Sequence, residues 1–234
     1  MLRNILLLAF IASSFFAYLW LSYYKQGIEW DYMSHIINAR TLAGAYNPRP
    51  YFELFRAPVG ETIMALFILL HISPTFPYVL FLFLFYFLSA LLTAKSFKLN
   101  GPVVVSILLL QTLLYSFALN NGNEVLSLSF LMLGLFFLKK EKPIFSGISL
   151  SLAALSKYPS LLVSFPLIFL FPSKEEIYKG IVSYFIPFIP WLFFNYLISS
   201  NPIESFVLSS SLLSLNATHL PFQLVFAFFL LLFL

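Results

Sequence analysis

Long apolar runs separated by short polar segments fill this chain from end to end. Runs at 4–23, 76–94, 103–119, 125–138 and 181–199 predict helices of membrane-crossing length or close to it. They exceed the roughly 9–11 residues of a transmembrane strand, so the spans are read as helices. Two shorter apolar pieces, 144–155 and 161–171, flank Lys157-Tyr158-Pro159 and read as the halves of a hairpin. A last run opens at 222 and continues to 234. Arg3 and the stretch 5–16 have the form of a signal peptide, but the apolar run continues past Trp20 and more spans follow. We therefore read it as an uncleaved first helix.

The polar segment 24–58 has a pattern of its own. Residues 30–44 predict a short amphipathic helix, with Tyr32, Ile36, Ile37 and Leu42 toward lipid and Asp31, His35, Asn38 and Arg40 turned elsewhere. Asn47-Pro48-Arg49-Pro50 is a loop. The run 59–71 covers only about 20 Å as a helix, against about 30 Å of hydrocarbon, so it is expected to lie in the outer interface or dip part-way. The expected fold is all-α: a polytopic transmembrane bundle of about 7–8 spans, with interfacial helices in an outer loop at 24–75. Residues 1–234 form one module on this reading.

Composition narrows the class. The chain is 61% hydrophobic and 9% charged, where a soluble domain is about 25% charged; this is the profile of an integral membrane protein. The absence of cysteine excludes disulfides, thiol catalysis and cysteine-ligated metals, and says nothing of compartment. The net charge of +4 sits in short loops, which mark topology rather than a nucleic-acid surface. No internal repeat suggests duplicated transporter halves. With the N-terminus inside and 59–71 kept on the outer side, the inner face receives Arg3, Lys95, Lys98, Lys139, Lys140, Lys142, Lys174 and Lys179. Lys25, Arg40, Arg49, Arg56 and Lys157 stay outside, so the basic loops obey the positive-inside rule. In that arrangement Asp31, the segment 120–124 and Lys157 emerge on one face.

Candidate chemistry concentrates there. Asp31 opens a helix beside the bilayer, where partial desolvation would raise its pKa and suit it to general-base work; N-capping is the competing role. Glu29 is read first as solvated interfacial charge. Arg40, Arg49 and Arg56 suit bidentate phosphate recognition, or simply face anionic headgroups. His35, at i+4 from Asp31, could orient a base or touch phosphate. Lys157 stands out, because a charge at membrane depth marks a function or a buried partner. A phosphate oxygen or the Asp31 region is its expected partner, with snorkelling as the alternative. Asn123 and Glu124 start a helix, where an acid complements the dipole; binding sugar hydroxyls or an ion is the second role. Asn216-Ala217-Thr218 matches a glycosylation acceptor but carries no weight. There is no zinc-ligand pattern, Walker loop or dinucleotide fingerprint.

The layout resembles the GT-C superfamily of membrane glycosyltransferases, nearest to polyprenol-phosphate-mannose-dependent mannosyltransferases and their protein-mannosyltransferase relatives. Glu29-Trp30-Asp31 has the E-x-D form of the superfamily's first-outer-loop motif. Gly44-Ala45-Tyr46-Asn47-Pro48 and Arg56-Ala57-Pro58 resemble the stretch and step that precede a short helix there. The small-residue run 145–156 ending in Lys157-Tyr158-Pro159 is the best match, with Ser151 where relatives often carry glycine. Asn121-Gly122-Asn123-Glu124 only loosely resembles the Gly-Gln-x-Asn element of one branch. The resemblance implies an inverting transfer in which Asp31 deprotonates an acceptor hydroxyl, while Arg40, Arg56, Lys157 and His35 meet the donor phosphate. Glu29, Asn123 and Glu124 would bind sugar, acceptor or an ion.

The implied partners are a polyprenyl-phosphate-linked hexose donor such as mannose, a lipid, glycan or protein acceptor, and membrane lipids. The superfamily has metal-dependent and metal-independent branches, so a divalent cation stays open as cofactor. Superfamily members are usually longer, and this chain stops inside an apolar run. A fragment needing a partner chain, a split gene and a minimal module are all left open. The implied location is the cell membrane, multi-pass, with a cytoplasmic N-terminus and the site outside. Two other classes stand beside this one: a transporter or lipid flippase using Lys157 and the outer acids, and a non-catalytic subunit of a membrane complex.

Overall fold

The computed structural model describes residues 30–45, 52–99 and 123–215, and these are helical without strands. The expected spans at 4–23, 103–119 and 222–234 lie outside the described residues, as do Glu29, Arg49, the segment 120–122 and the triplet at 216–218. In chain order the helices are α1 Trp30–Leu42, α2 Pro58–Leu69, α3 Thr75–Ser96, α4 Asn123–Lys139, α5 Pro143–Ser156, α6 Leu161–Leu167, α7 Lys174–Phe185, α8 Phe188–Ser199 and α9 Glu204–Leu215.

Among the described residues, two stretches are long and apolar enough to cross a membrane: α3, and the nearly continuous α7–α8 from Lys174 to Ser199. At 1.5 Å per residue, the 22 residues of α3 reach about 33 Å. The run expected at 181–199 starts earlier than its hydropathy suggested. Ser173 caps α7 by accepting from the Glu176 amide at 3.2 Å, and its hydroxyl donates to the Glu176 carboxylate at 2.9 Å. That reciprocal pair nucleates the helix well before the apolar residues begin.

Side chains fix the direction of the helices. At one end the Tyr78 hydroxyl of α3 donates to Asn123 Oδ1 of α4 at 3.2 Å. At the other, the Lys139 ammonium of α4 lies 5.8 Å from the Phe97 ring that follows α3. The two helices therefore run parallel. The turn at Lys140–Lys142 sends α5 back against α4, where the Ser146 hydroxyl donates to the Gly134 carbonyl at 3.0 Å. Lys95, Lys139, Lys140 and Lys142 thus gather at the end opposite Asn123.

Helix α5 is the centre of the bundle and packs on α4, α7, α6 and α2. Leu150, Ala153 and Ala154 are wholly buried, as are Ser146, Ser151 and Ser156. Small residues on this helix allow close backbone approach, which apolar helices use in lipid where no hydrophobic drive separates protein from solvent. At Gly147 the α7 backbone comes so near that a Cβ would collide with Ser183 Oγ and the Gly180 carbonyl. Helix α5 ends at Lys157, whose backbone turns extended (φ −154°, ψ 112°). Pro159 cannot donate an amide hydrogen bond, so the chain makes a tight turn at Tyr158–Ser160 and α6 packs back against α5. The short halves expected on either side of Lys157 therefore do form a hairpin.

Helices α1 and α2 lie against each other. Ile36 and Ala39 join Met64, Ala65, Leu82 and Tyr86 in one core cluster. This corrects the expected facing of α1: Ile36 points into the protein rather than lipid, because α2 and α3 cover that face. Helix α2 is too short to span, and its end exposes Leu66, Leu69 and Leu70. Helix α9 was not expected from the sequence.

Candidate functional site

The site is built around Glu61. This acid sits in the first turn of α2, which starts cleanly because Pro58 occupies its first position. Its side chain is wholly buried. His35 and Asn38 lie one turn apart on the inner face of α1, and both reach Glu61 Oε1: His35 Nδ1 at 3.0 Å and Asn38 Nδ2 at 2.8 Å. Glu61 Oε2 is buried and has no hydrogen-bond partner among the described residues. Burial pushes the carboxyl above the usual carboxylate range, while the His35 and Asn38 hydrogen bonds and the Arg56 charge pull it back.

Asn38 also organises the loop before α2. Its Oδ1 accepts from the Glu53 amide at 2.9 Å and its Nδ2 donates to the Glu53 carbonyl at 3.2 Å. That clamp sets Arg56, whose Nε donates to Glu53 Oε2 at 2.5 Å and whose Nη1 lies 3.4 Å from His35 Nε2. Asn123 Nδ2 approaches the same imidazole nitrogen at 3.3 Å. Gly60 permits this closeness, since a Cβ there would overlap the Asn123 amide and lie 2.6 Å from the Tyr78 hydroxyl.

The neighbouring residue on α4, Glu124, pairs with Lys157 at the α5 break. Both side chains are about a third exposed, at 28% and 35%. The turn beside Lys157 is held by Ser127, which donates to the Ala153 carbonyl at 2.9 Å and lies 2.6 Å from the Ser160 hydroxyl. Tyr158 ties this turn to the α2 loop by donating to the Arg56 carbonyl at 3.2 Å, and it accepts from Trp191 Nε1 at 2.9 Å. Trp191 and Asn195 of α8 both donate to the buried Ser205 hydroxyl, at 3.1 and 2.9 Å.

No family model, curated protein or solved structure matches this chain.

Three polar clusters far apart in sequence therefore meet at one end of the bundle: α1 through His35, the start of α4 through Asn123 and Glu124, and the α5 break through Lys157. Arg56 joins them. Arg40 does not; it is exposed in the last turn of α1, away from the face that carries His35 and Asn38. Asp31 begins α1, one turn before His35, and its side chain lies outside what the structure describes. Lys157 pairs with Glu124, a partner the sequence did not suggest, brought within reach because α4 and α5 are antiparallel neighbours. Among the described residues no group of three His, Cys, Asp or Glu is arranged to hold a metal ion.

The sequence reading overlooked Glu61. The signal was present: an acid inside the apolar run 59–71 is the same kind of anomaly as Lys157. The Tyr158–Trp191–Ser205 link joins residues up to 47 positions apart and left no local trace.

Proposed function

We propose that this chain is a membrane-embedded inverting glycosyltransferase that moves a hexose, with mannose the first candidate, from a polyprenyl-phosphate donor to an acceptor hydroxyl. The observation that carries the reading is the meeting of Arg56, His35, Asn123, Glu124 and Lys157 at one end of an apolar bundle. The opposite end bears the lysine-rich turns, which the positive-inside rule assigns to the cytoplasm. On that assignment the site opens at the outer lipid–water boundary, the N-terminus is cytoplasmic, and the chain is a multi-pass protein of GT-C type.

The chemistry suits these residues. A lipid phosphate is a good leaving group, so a base and cationic stabilisation suffice. Asp31, at the start of α1, takes the base role. Arg56 and Lys157 offer cations to the departing phosphate, and both are already ordered by carboxylates, Glu53 and Glu124. An anionic ligand exchanges with those carboxylates rather than meeting bare charge. Asn123 and Glu124, with Glu29, take the hydroxyls of sugar or acceptor on this reading, and exposed Arg40 a lipid headgroup. The grooves between apolar helices receive the polyprenyl tail.

The test is sugar transfer by the purified chain in nanodiscs, with radiolabelled polyprenyl-phosphate-mannose and a membrane lipid extract. Wild-type transfer that Asp31→Asn abolishes supports the reading; equal transfer by both removes Asp31 from the mechanism. A second reading, ion-coupled transport, is favoured by one observation: an acid wholly buried among apolar helices and paired with histidine. It predicts solute flux in proteoliposomes that Glu61→Gln stops, without sugar transfer.

A further inference from the structure

We propose that Glu61 locks His35 as its Nδ1–H tautomer, so that the Nε2 lone pair accepts from Arg56 and Asn123 and positions both at the centre of the site. The argument is one of donors and acceptors. Arg56 Nη1, which can only donate, faces Nε2 at 3.4 Å, and the Asn123 amide nitrogen faces it at 3.3 Å. The Asn123 amide is oriented by the Tyr78 hydroxyl, which donates to its Oδ1. An Nε2–H would oppose both donors, so Nε2 carries the lone pair and the ring proton sits on Nδ1.

Nδ1–H then donates to Glu61 Oε1, which also accepts from Asn38. Oε1 is the acceptor in either charge state of Glu61, because a proton on that carboxyl would sit on the unpartnered Oε2. An acceptor behind one imidazole nitrogen fixes the tautomer and leaves the far nitrogen as an acceptor. The charged and titratable groups facing the ring from the packed elements are Glu61 of α2 and Arg56 of its preceding loop, with Glu53 behind Arg56; α4 contributes Asn123 and α3 Tyr78, both neutral.

Within the transfer reading, on which this role rests, the O–H bond of the acceptor breaks and its proton goes to Asp31, while His35 holds Arg56 toward the departing phosphate. The oxygen attacks the anomeric carbon as the bond to the lipid phosphate breaks. Glu61 is a positioning residue acting through His35. It is also the reason an acid is retained in an otherwise apolar helix.

The test needs no substrate, so it stands or falls apart from the transfer reading. The chain has three histidines. Replacing His71 and His219 by asparagine leaves His35 as the sole imidazole; His71 has φ 59°, which asparagine tolerates. Nitrogen-15 NMR of that protein in micelles near neutral pH should show one neutral tautomer with bare Nε2, favoured at least about tenfold by the hydrogen bond to Glu61. In folded Glu61→Leu, which removes the acceptor, that preference should weaken. A wild-type ring that is Nε2–H or an imidazolium overturns the lock. A folded Glu61→Leu that keeps the single tautomer as strongly as wild type overturns the role of Glu61. If that variant does not fold, the wild-type tautomer decides alone.

Discussion

Gly147→Ala tests the packing that holds the α5 break in place. By intrinsic helix propensity the change should stabilise by about 0.5–1 kcal/mol. The structure predicts the opposite sign. A Cβ at 147 meets the Gly180 carbonyl oxygen and Ser183 Oγ well inside contact distance, and lies 3.0 Å from the Tyr184 amide nitrogen. Two of these three are backbone atoms of α7, so no rotamer change relieves them. The helices must part by roughly 1 Å, which forfeits a quarter to a half of each dispersion contact along the seam. Overpacking of this kind costs about 1–3 kcal/mol. Net of propensity the loss is up to about 2.5 kcal/mol, or a Tm fall of up to roughly 10 °C for a chain of this size. Thermal unfolding of the purified protein in one detergent, followed by tryptophan fluorescence, reads it. A Tm at or above wild type would refute the close α5–α7 approach.

Other consequences follow from the site. Lys157→Met and Glu124→Gln should each destabilise, and a double-mutant cycle should return a coupling of about 1–2 kcal/mol, between the values for exposed and buried pairs; additive effects in detergent unfolding would mean the two do not pair. Burial raises the Glu61 carboxyl above its ordinary value of 4.5, so ionising it opposes folding. The stability of wild type relative to Glu61→Gln should therefore fall as pH rises above 4.5 and level off once the folded carboxyl has ionised; a flat or rising difference in a pH series contradicts this. Trp191→Phe removes the donor to Tyr158 and Ser205 and should cost about 1–3 kcal/mol, because both partners are buried. The same variant should leave the His35 tautomer unchanged, which one NMR spectrum of the histidine ring decides.

Hydrophobic patterning was enough to find most of the described helices. Runs of leucine and phenylalanine have few alternatives to a helix in an apolar medium, and Pro58, Pro143 and Pro159 punctuate them. The break at Lys157 was legible for the same reason, since a charge and a proline interrupt an apolar run. Its partner was not. Lys157 and Glu124 are 33 positions apart, and only the antiparallel packing of α4 on α5 decides that they meet. Helix α9 was missed because its serines, which hydrogen-bond back to their own helix, read as loop when counted as polar residues. Glu61 went unnoticed because 59–71 was taken as interfacial, where a single acid raises no question; burial under α1 makes it unusual.

The central claim is that a lipid-phosphate sugar binds where α1, the α2 loop, α4 and the α5 break converge. Photolabelling tests it most directly. A polyprenyl-phosphate-hexose with a photoreactive group beside the phosphate would be irradiated with the purified chain in nanodiscs, and the labelled peptides mapped with and without excess unlabelled donor. The account predicts competable labelling of peptides carrying His35, Arg56, Asn123 and Lys157. Labelling confined to the exposed apolar surface of α8, or labelling that excess donor does not reduce, would contradict it.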